Sequence, residues 1–217
     1  MTKIILERHG QSIGNRDGIY LGHTDLGLTE KGIRQAECTA IHLKDEKITK
    51  IYSSDLERAI ETALPHTKLH GIPLETSESL REMHVGDWEG ANVNELKKLE
   101  EFSVRRTYRD FVYPNGEGVV EAADRMKREI TRLAEANPDT TILIVSHSAA
   151  IRAFWYYLLG YTELNMLDSV PFMKNASYCV LTYDGVCLKS RRSILRLSRE
   201  FLTNPNTDTS FSRKNRL

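Results

Sequence analysis

The run Thr141–Ser146, TILIVS, limits what this chain can fold into more than any other segment, because it is nearly all apolar. A strand with one face in a core and the other in water alternates apolar and polar residues; a continuous apolar run is what the middle of a sheet covered on both faces requires. Lys3 to Glu7 is a second, shorter apolar run, and it ends at Arg8-His9-Gly10 before a polar, glycine-rich stretch through Gly27. After Thr29, taken as a helix N-cap, Ile33, Ala36, Ala40 and Leu43 recur at spacings of three and four, which is a helix stripe. Ile48 to Ser53 reads as a strand leading through Asp55 into a helix with Arg58, Ala59, Thr62 and Ala63. Val119, Ala123, Met126, Ile130 and Leu133 mark a long helix ended by Asn137-Pro138. A further helix is expected from His147 to about Leu159, stopping at Gly160. Ser177 to Tyr183, the Asp184-Gly185 turn and Cys187 to Arg192 read as a closing hairpin. Strands that alternate with helices predict an α/β fold of three layers, a mostly parallel central sheet with helices on both faces.

A length of 217 residues suits a single domain built on one core. Leu80 to Gly90 reads as loop and Asn94 to Phe102 as a short helix. An excursion from the core is expected at about residues 91–118, with Arg105, Arg106 and Arg109 in it and Pro114-Asn115-Gly116 as its turn signal. The polar tail from about residue 204 is expected to fray. Thirty basic residues balance thirty acidic ones, so no overall field favours nucleic acid or an anionic membrane. No stretch approaches a membrane span, and the N-terminal residues show no leader pattern. The expectation is therefore a cytoplasmic protein with no nucleic-acid or membrane partner. Cys38, Cys179 and Cys187 are too few and scattered for a disulfide framework and are read as core or half-buried thiols. His66 and His70 have the spacing of a helical metal pair but lack the HExxH context, so no metal is expected there. The arginine cluster is read either as a solvated face or as a contact to an acidic substrate.

In open α/β sheets, sites form beyond the carboxyl ends of the strands. His9 follows the first strand and His147 follows TILIVS, so neighbouring strands would bring two imidazoles into one pocket across 138 positions of sequence. Arg8 adjoins His9, and Arg58 stands in the first turn of the helix after the second strand. Guanidinium forks match phosphate oxygens in bidentate pairs, and free amides at loops or helix N-termini add donors. This conjunction points to phosphoryl transfer, in which a cationic cradle stabilises charge.

Arg8-His9-Gly10-Gln11-Ser12 with Asn15 resembles the signature of the histidine phosphatase superfamily, in its cofactor-dependent phosphoglycerate mutase-like branch. Four further blocks follow in that family's order: Leu28-Thr29-Glu30-Lys31-Gly32 with Gln35-Ala36; Ser53-Ser54-Asp55-Leu56-Glu57-Arg58-Ala59 with Thr62-Ala63; Leu80-Arg81-Glu82 with Gly86-Asp87-Trp88-Glu89-Gly90; and Val145-Ser146-His147. The resemblance implies that His9 attacks phosphorus and becomes a phosphohistidine, that Arg8, Arg58 and His147 bind the transferring oxygens, and that Glu82 protonates the leaving oxygen. It further implies that Gln11 and Asn15, with backbone amides near Leu21 and Gly22, line the phosphate pocket. The expected activity is that of a phosphomonoesterase hydrolysing a small phosphorylated metabolite without metal or cofactor. The alternatives are a phosphoglycerate mutase using 2,3-bisphosphoglycerate and a catalytically silent phospholigand-binding regulatory protein. Three positions depart from the family pattern: Ser148 stands where glycine is usual, Glu7 where an uncharged residue is usual, and Gly118 where serine is common.

Overall fold

A computed structural model describes residues 1–158 and 173–190 of the chain. Its strands are β1 (Thr2–Arg8), β2 (Ile48–Ser53), β3 (Leu74–Thr76), β4 (Thr141–Ser146), β5 (Tyr178–Tyr183) and β6 (Leu188–Ser190); its helices are α1 (Ile13–Asp17), α2 (Glu30–His42), α3 (Glu57–His70), α4 (Val93–Leu96), α5 (Glu100–Ser103), α6 (Val119–Ala136) and α7 (Ser148–Leu158). The strands form one six-stranded sheet in the order β3-β2-β4-β1-β5-β6. Neighbours among the first four are parallel, and β5 and β6 close the edge antiparallel.

The apolar run at β4 is explained by its place in the middle of this sheet. Ile142 and Ile144, with Ile4 and Leu6 of β1, face α6 and α7, where Met126, Ile130, Leu133, Ile151 and Phe154 pack. The alternate residues Leu143 and Val145, with Ile5, face the opposite way onto Leu43, Ala59 and Ala63. Because side chains alternate along a strand, covering both faces requires apolar residues at every position.

The α2 stripe needs one correction. Thr29 caps the helix as expected, accepting from Gly32 N, but Ile33 is 43% exposed. Gly32 takes the inward position, because a Cβ on Gly10 would lie 2.5 Å from Gly32 O: the helix start rests directly on the loop that follows β1, and only glycine permits that approach. Two further differences are local. The expected helix from Asn94 to Phe102 is broken into α4 and α5, and β3, with one apolar residue in three, carried too little pattern to be read as a strand.

The excursion is not loose. Trp88, Phe102, Phe111 and Tyr113 form a second apolar cluster with Met83 and Val85, packed on Ala122 and Ala123 of α6 and on Ala153 and Tyr156 of α7. The basic segment inside it is a short 3-10 turn, Arg105–Thr107. Cys179 is buried, but Cys38 and Cys187 are exposed rather than half-buried, one on the outer side of α2 and one beside the hairpin turn. No helix among the described residues is long and apolar enough to cross a membrane. The expected stop at Gly160, the last residues of the hairpin and the tail from about 204 lie outside the described residues.

Candidate active site

Parallel pairing of β1 with β4 sets Arg8 opposite Ser146, and His9 N donates to Ser146 O at 3.0 Å. The two strand ends therefore deliver His9 and His147 side by side, with ring centroids 5.1 Å apart. The second residue of α3, Arg58, reaches the same point from β2's end of the sheet. Its Nε donates to His147 Nδ1 at 3.2 Å, its Nη1 to Thr24 O at 2.9 Å and its Nη2 to Gly22 O at 2.7 Å. Three of the five guanidinium donors are thus held by protein, which fixes the plane of the fork and leaves two donors for a ligand.

These contacts settle the tautomers. His9 Nδ1 lies 2.7 Å from Gly10 O; since a carbonyl only accepts, the proton is on Nδ1 and Nε2 carries the lone pair. In His147 the reverse holds: Nδ1 accepts from Arg58, so the proton of the neutral ring is on Nε2, an atom with no hydrogen-bond partner among the described residues. Burial, and after it the charges of Arg8 and Arg58, hold the His9 imidazole well below its ordinary pKa. Burial, Arg58 and His9 do the same to His147. Both rings are neutral near pH 7 in the free site. Burial brings Arg8 down to about 10, partly opposed by Glu82, so it stays charged.

Glu82 enters from the loop after β3 and is 8% exposed. Its Oε1 accepts from Met83 N at 3.0 Å and Ala150 N at 2.7 Å, and its Oε2 from Ala149 N at 3.1 Å. It therefore sits at the N-terminus of α7, where amides without helical partners fix the direction of both carboxyl oxygens. Arg8, His9, Arg58 and Glu82 line one cavity of ≈ 350 Å³, and His147, with no exposed surface, lies against both His9 and Arg58. On the far wall are Tyr20, Asn94, Lys97, Arg106, Tyr113 and Arg152, with the Tyr20 and Tyr113 hydroxyls hydrogen-bonded at 2.7 Å.

The second group of expected residues divides. Asn15 and Leu21 line the cavity. Gln11 does not: its Oε1 accepts from Thr29 Oγ1 at 3.0 Å, so it braces the start of α2. The amide of Gly22 is also turned away, donating to Glu89 Oε2 at 3.1 Å. Of the three clustered arginines, Arg106 lines the cavity, while Arg105 stacks on Tyr108 with its guanidinium carbon 5.1 Å from the ring centroid.

Three supporting residues went unread. Glu89 accepts from the amides of Gly22, His23 and Thr24 and holds the loop that binds Arg58. Arg125 donates to Ser79 O and Arg81 O and pairs with Glu117 through both carboxylate oxygens, clamping the turn that presents Glu82. Asn175 bridges Gly10 O at 3.1 Å and Asn15 Oδ1 at 2.9 Å. Glu89 and Glu117 stood inside motifs already singled out, but nothing in their spacing named a partner; Asn175 had no local signal.

Comparison with known proteins places this arrangement. The family model described as histidine phosphatase superfamily (branch 1) matches residues 4–193. A phosphoserine phosphatase 1 from Hydrogenobacter thermophilus is 30% identical, the match covering 91% of this chain and 92% of the relative. A phosphoglycerate mutase-like protein 4 from Arabidopsis thaliana is 33% identical over 71% of this chain and 70% of its own length. Among solved structures, a mycobacterial glucosyl-3-phosphoglycerate phosphatase complexed with VO3 superposes with a TM-score of 0.80 at 27% identity, covering 87% of this chain and 96% of that one.

Proposed function

The chain belongs to the histidine phosphatase superfamily, and from that membership we infer that it is a metal-independent phosphomonoesterase acting on a small phosphorylated metabolite through a phosphohistidine at His9 Nε2. The observation that carries this reading is the pinned tautomer: Nδ1–H is tied to Gly10 O, so the lone pair on Nε2 belongs to a neutral ring beside two arginines. In the first step that lone pair forms the N–P bond while the ester O–P bond breaks, and Glu82 gives its proton to the departing oxygen. Arg8, the two remaining donors of Arg58 and the Nε2–H of His147 hold the equatorial oxygens, where charge is spread in the transition state. In the second step water attacks the phosphorus, Glu82 takes a proton from it, the N–P bond breaks and inorganic phosphate leaves.

The far wall bears on the substrate. Lys97, Arg106 and Arg152 line the same cavity as His9, and such cations suit an ester that also carries a carboxylate. The names of the phosphoserine and glucosyl-3-phosphoglycerate phosphatase relatives fit that class. Mutase activity is the second reading, favoured by Arg106 reaching the cavity from a basic segment; against it, Arg105 faces Asp110 at 3.9 Å on the surface and is 45% exposed, leaving one arginine where a basic clamp would need two.

Two measurements test the proposal. Free phosphate released from a panel of carboxylate-bearing and neutral phosphomonoesters, in the presence of chelator, should be highest for the carboxylate-bearing set. With 3-phosphoglycerate and catalytic 2,3-bisphosphoglycerate, isomerisation far faster than any hydrolysis in the panel would replace the phosphatase reading with the mutase one.

A further inference from the structure

Two residues that the phosphate site does not use meet in the interior. Glu7, the charged residue just before the RHG motif, is fully inaccessible on β1; His66, one half of the unexplained histidine pair, is equally inaccessible on α3. His66 Nε2 lies 3.0 Å from Glu7 Oε2. Neither carboxylate oxygen of Glu7 and neither ring nitrogen of His66 makes an aligned hydrogen bond to anything among the described residues. A buried carboxylate is costly unless an opposite group faces it; among the described residues each of these side chains is the other's sole compensation.

We propose that Glu7 and His66 are a positioning pair for the nucleophile, locking α3 against β1 so that Thr62 holds Gly10 and Gly10 holds the Nδ1–H of His9. The proposal rests on the reading of His9 Nε2 as the attacking atom. Residues 58, 62 and 66 are four apart and share one face of α3, while Glu7 is on the face of β1 that carries Ile5, the side on which Ala59 and Ala63 of α3 pack. At three successive turns α3 meets, in order, the residue after β4, the loop just past β1, and β1 itself. Arg58 Nε donates to His147 Nδ1 at 3.2 Å, Gly10 N donates to Thr62 Oγ1 at 3.0 Å, and His66 faces Glu7. Thr62 spends its own proton on Arg58 O at 2.7 Å, so its oxygen can only accept from Gly10. That fixes the residue whose carbonyl sets the His9 tautomer. A slide of α3 along β1 would open the middle contact and free the His9 ring. An apolar pair at positions 7 and 66 would bury as well but would not define one register between strand and helix.

The experiment uses the full-length protein with Glu7→Gln, His66→Gln and the double substitution, all checked for fold by circular dichroism. The imidazole nitrogens of His9 are read by 15N NMR in phosphate-free buffer, with kcat and KM measured in parallel. Each single variant should lower kcat about 10- to 100-fold, the scale of a small misplacement of a reacting group, with KM changed less than about threefold. The double variant should be no worse than the poorer single one, because both break one contact. The His9 resonances should show loss of the single Nδ1–H tautomer. Should Glu7→Gln fail to fold, Glu7→Asp, which keeps the charge but withdraws it by one methylene, gives the same readouts. A folded variant with a lower melting temperature, kcat within twofold of wild type and an unchanged His9 spectrum would overturn the proposal and leave the pair a structural one. The spectra need no turnover, so an inactive wild-type protein would count against the phosphatase reading alone.

Discussion

On one side of the cavity His9 and His147 extend from adjacent strand ends, and Arg58 from the first turn of a 14-residue helix, each held by hydrogen bonds to backbone or to one another. On the other side Tyr20 and Tyr113 come from loops and Arg106 from a 3-10 turn, and the side chains meet through ring contacts and one bond between the two tyrosine hydroxyls. Tyr20 meets Phe102 edge-on at 5.0 Å, Tyr113 meets Trp88 edge-on at 5.4 Å, and the Arg106 guanidinium lies 4.3 Å above the Phe102 ring. Directional bonds to a sheet fix a group to one place and one tautomer; aromatic packing fixes area and shape but tolerates exchange of residues. The rigid side suits the reacting phosphoryl group, and the packed side suits the variable organic part of the ester.

The comparison breaks most sharply at His9. His9→Ala should lower kcat by at least about 10³-fold with the fold intact, and should abolish the acid-labile phosphate trapped when wild type is quenched during turnover. Near-normal turnover by the folded variant would mean that the rigid side does not perform the chemistry. Glu82→Gln, which keeps one oxygen to accept from Met83 N and Ala150 N but replaces the acceptor facing Ala149 N with an NH2 and removes the acid, should cost about 10²–10³-fold on alkyl esters. Aryl esters, whose leaving groups need no proton, should lose far less; equal losses on both would remove Glu82 as the proton donor.

Arg106→Met tests the packed side. It should raise KM for carboxylate-bearing esters by about tenfold, the worth of one charge-assisted hydrogen bond, with kcat nearly unchanged. A fall in kcat with KM constant would show that the two sides are not separable. The smallest expected effect is on stability. In the folded state His9 and His147 bind protons only well below the ordinary imidazole pKa, whereas unfolded histidine binds them near 6.5. The unfolded state therefore gains protons first as pH falls, and stability present above about pH 6.5 is lost progressively below it. Burial raises Tyr113 well above its usual pKa, so this wall residue stays neutral throughout. Melting temperature followed from pH 8 to 5 in phosphate-free buffer should fall less in His147→Gln than in wild type, and Tyr113→Phe should leave the slope as it is. Identical slopes in all three proteins would show that the buried imidazoles do not govern the acid response.

The two sides also differ in how far they could be read from sequence. Arg8, His9, Arg58 and His147 were legible because each stands just after a strand run or in the helix turn that follows one, and chain direction alone puts those points at one edge of a parallel sheet. The wall was not legible. Its aromatics Tyr20 and Tyr113, and Phe102 packed behind them, come from two stretches about 80 residues apart and show no period, so the span around residues 91–118 read as an excursion although it packs as a second core. For Gln11 the motif position says which loop it is on, but not that its side chain would accept from Thr29.

By itself, then, the sequence determined the kinds of elements, the covered sheet and which residue types stand at the strand ends, since these depend on period, polarity and residue type within short windows. Tertiary structure alone decided that β1 lies against β4, bringing His9 and His147 together, that Glu89 holds the loop beneath Arg58, and that Glu7 and His66 are partners. Each of these is a contact between residues far apart in the chain, and no local spacing encodes which of many chemically suitable groups will be the one that packing brings within reach.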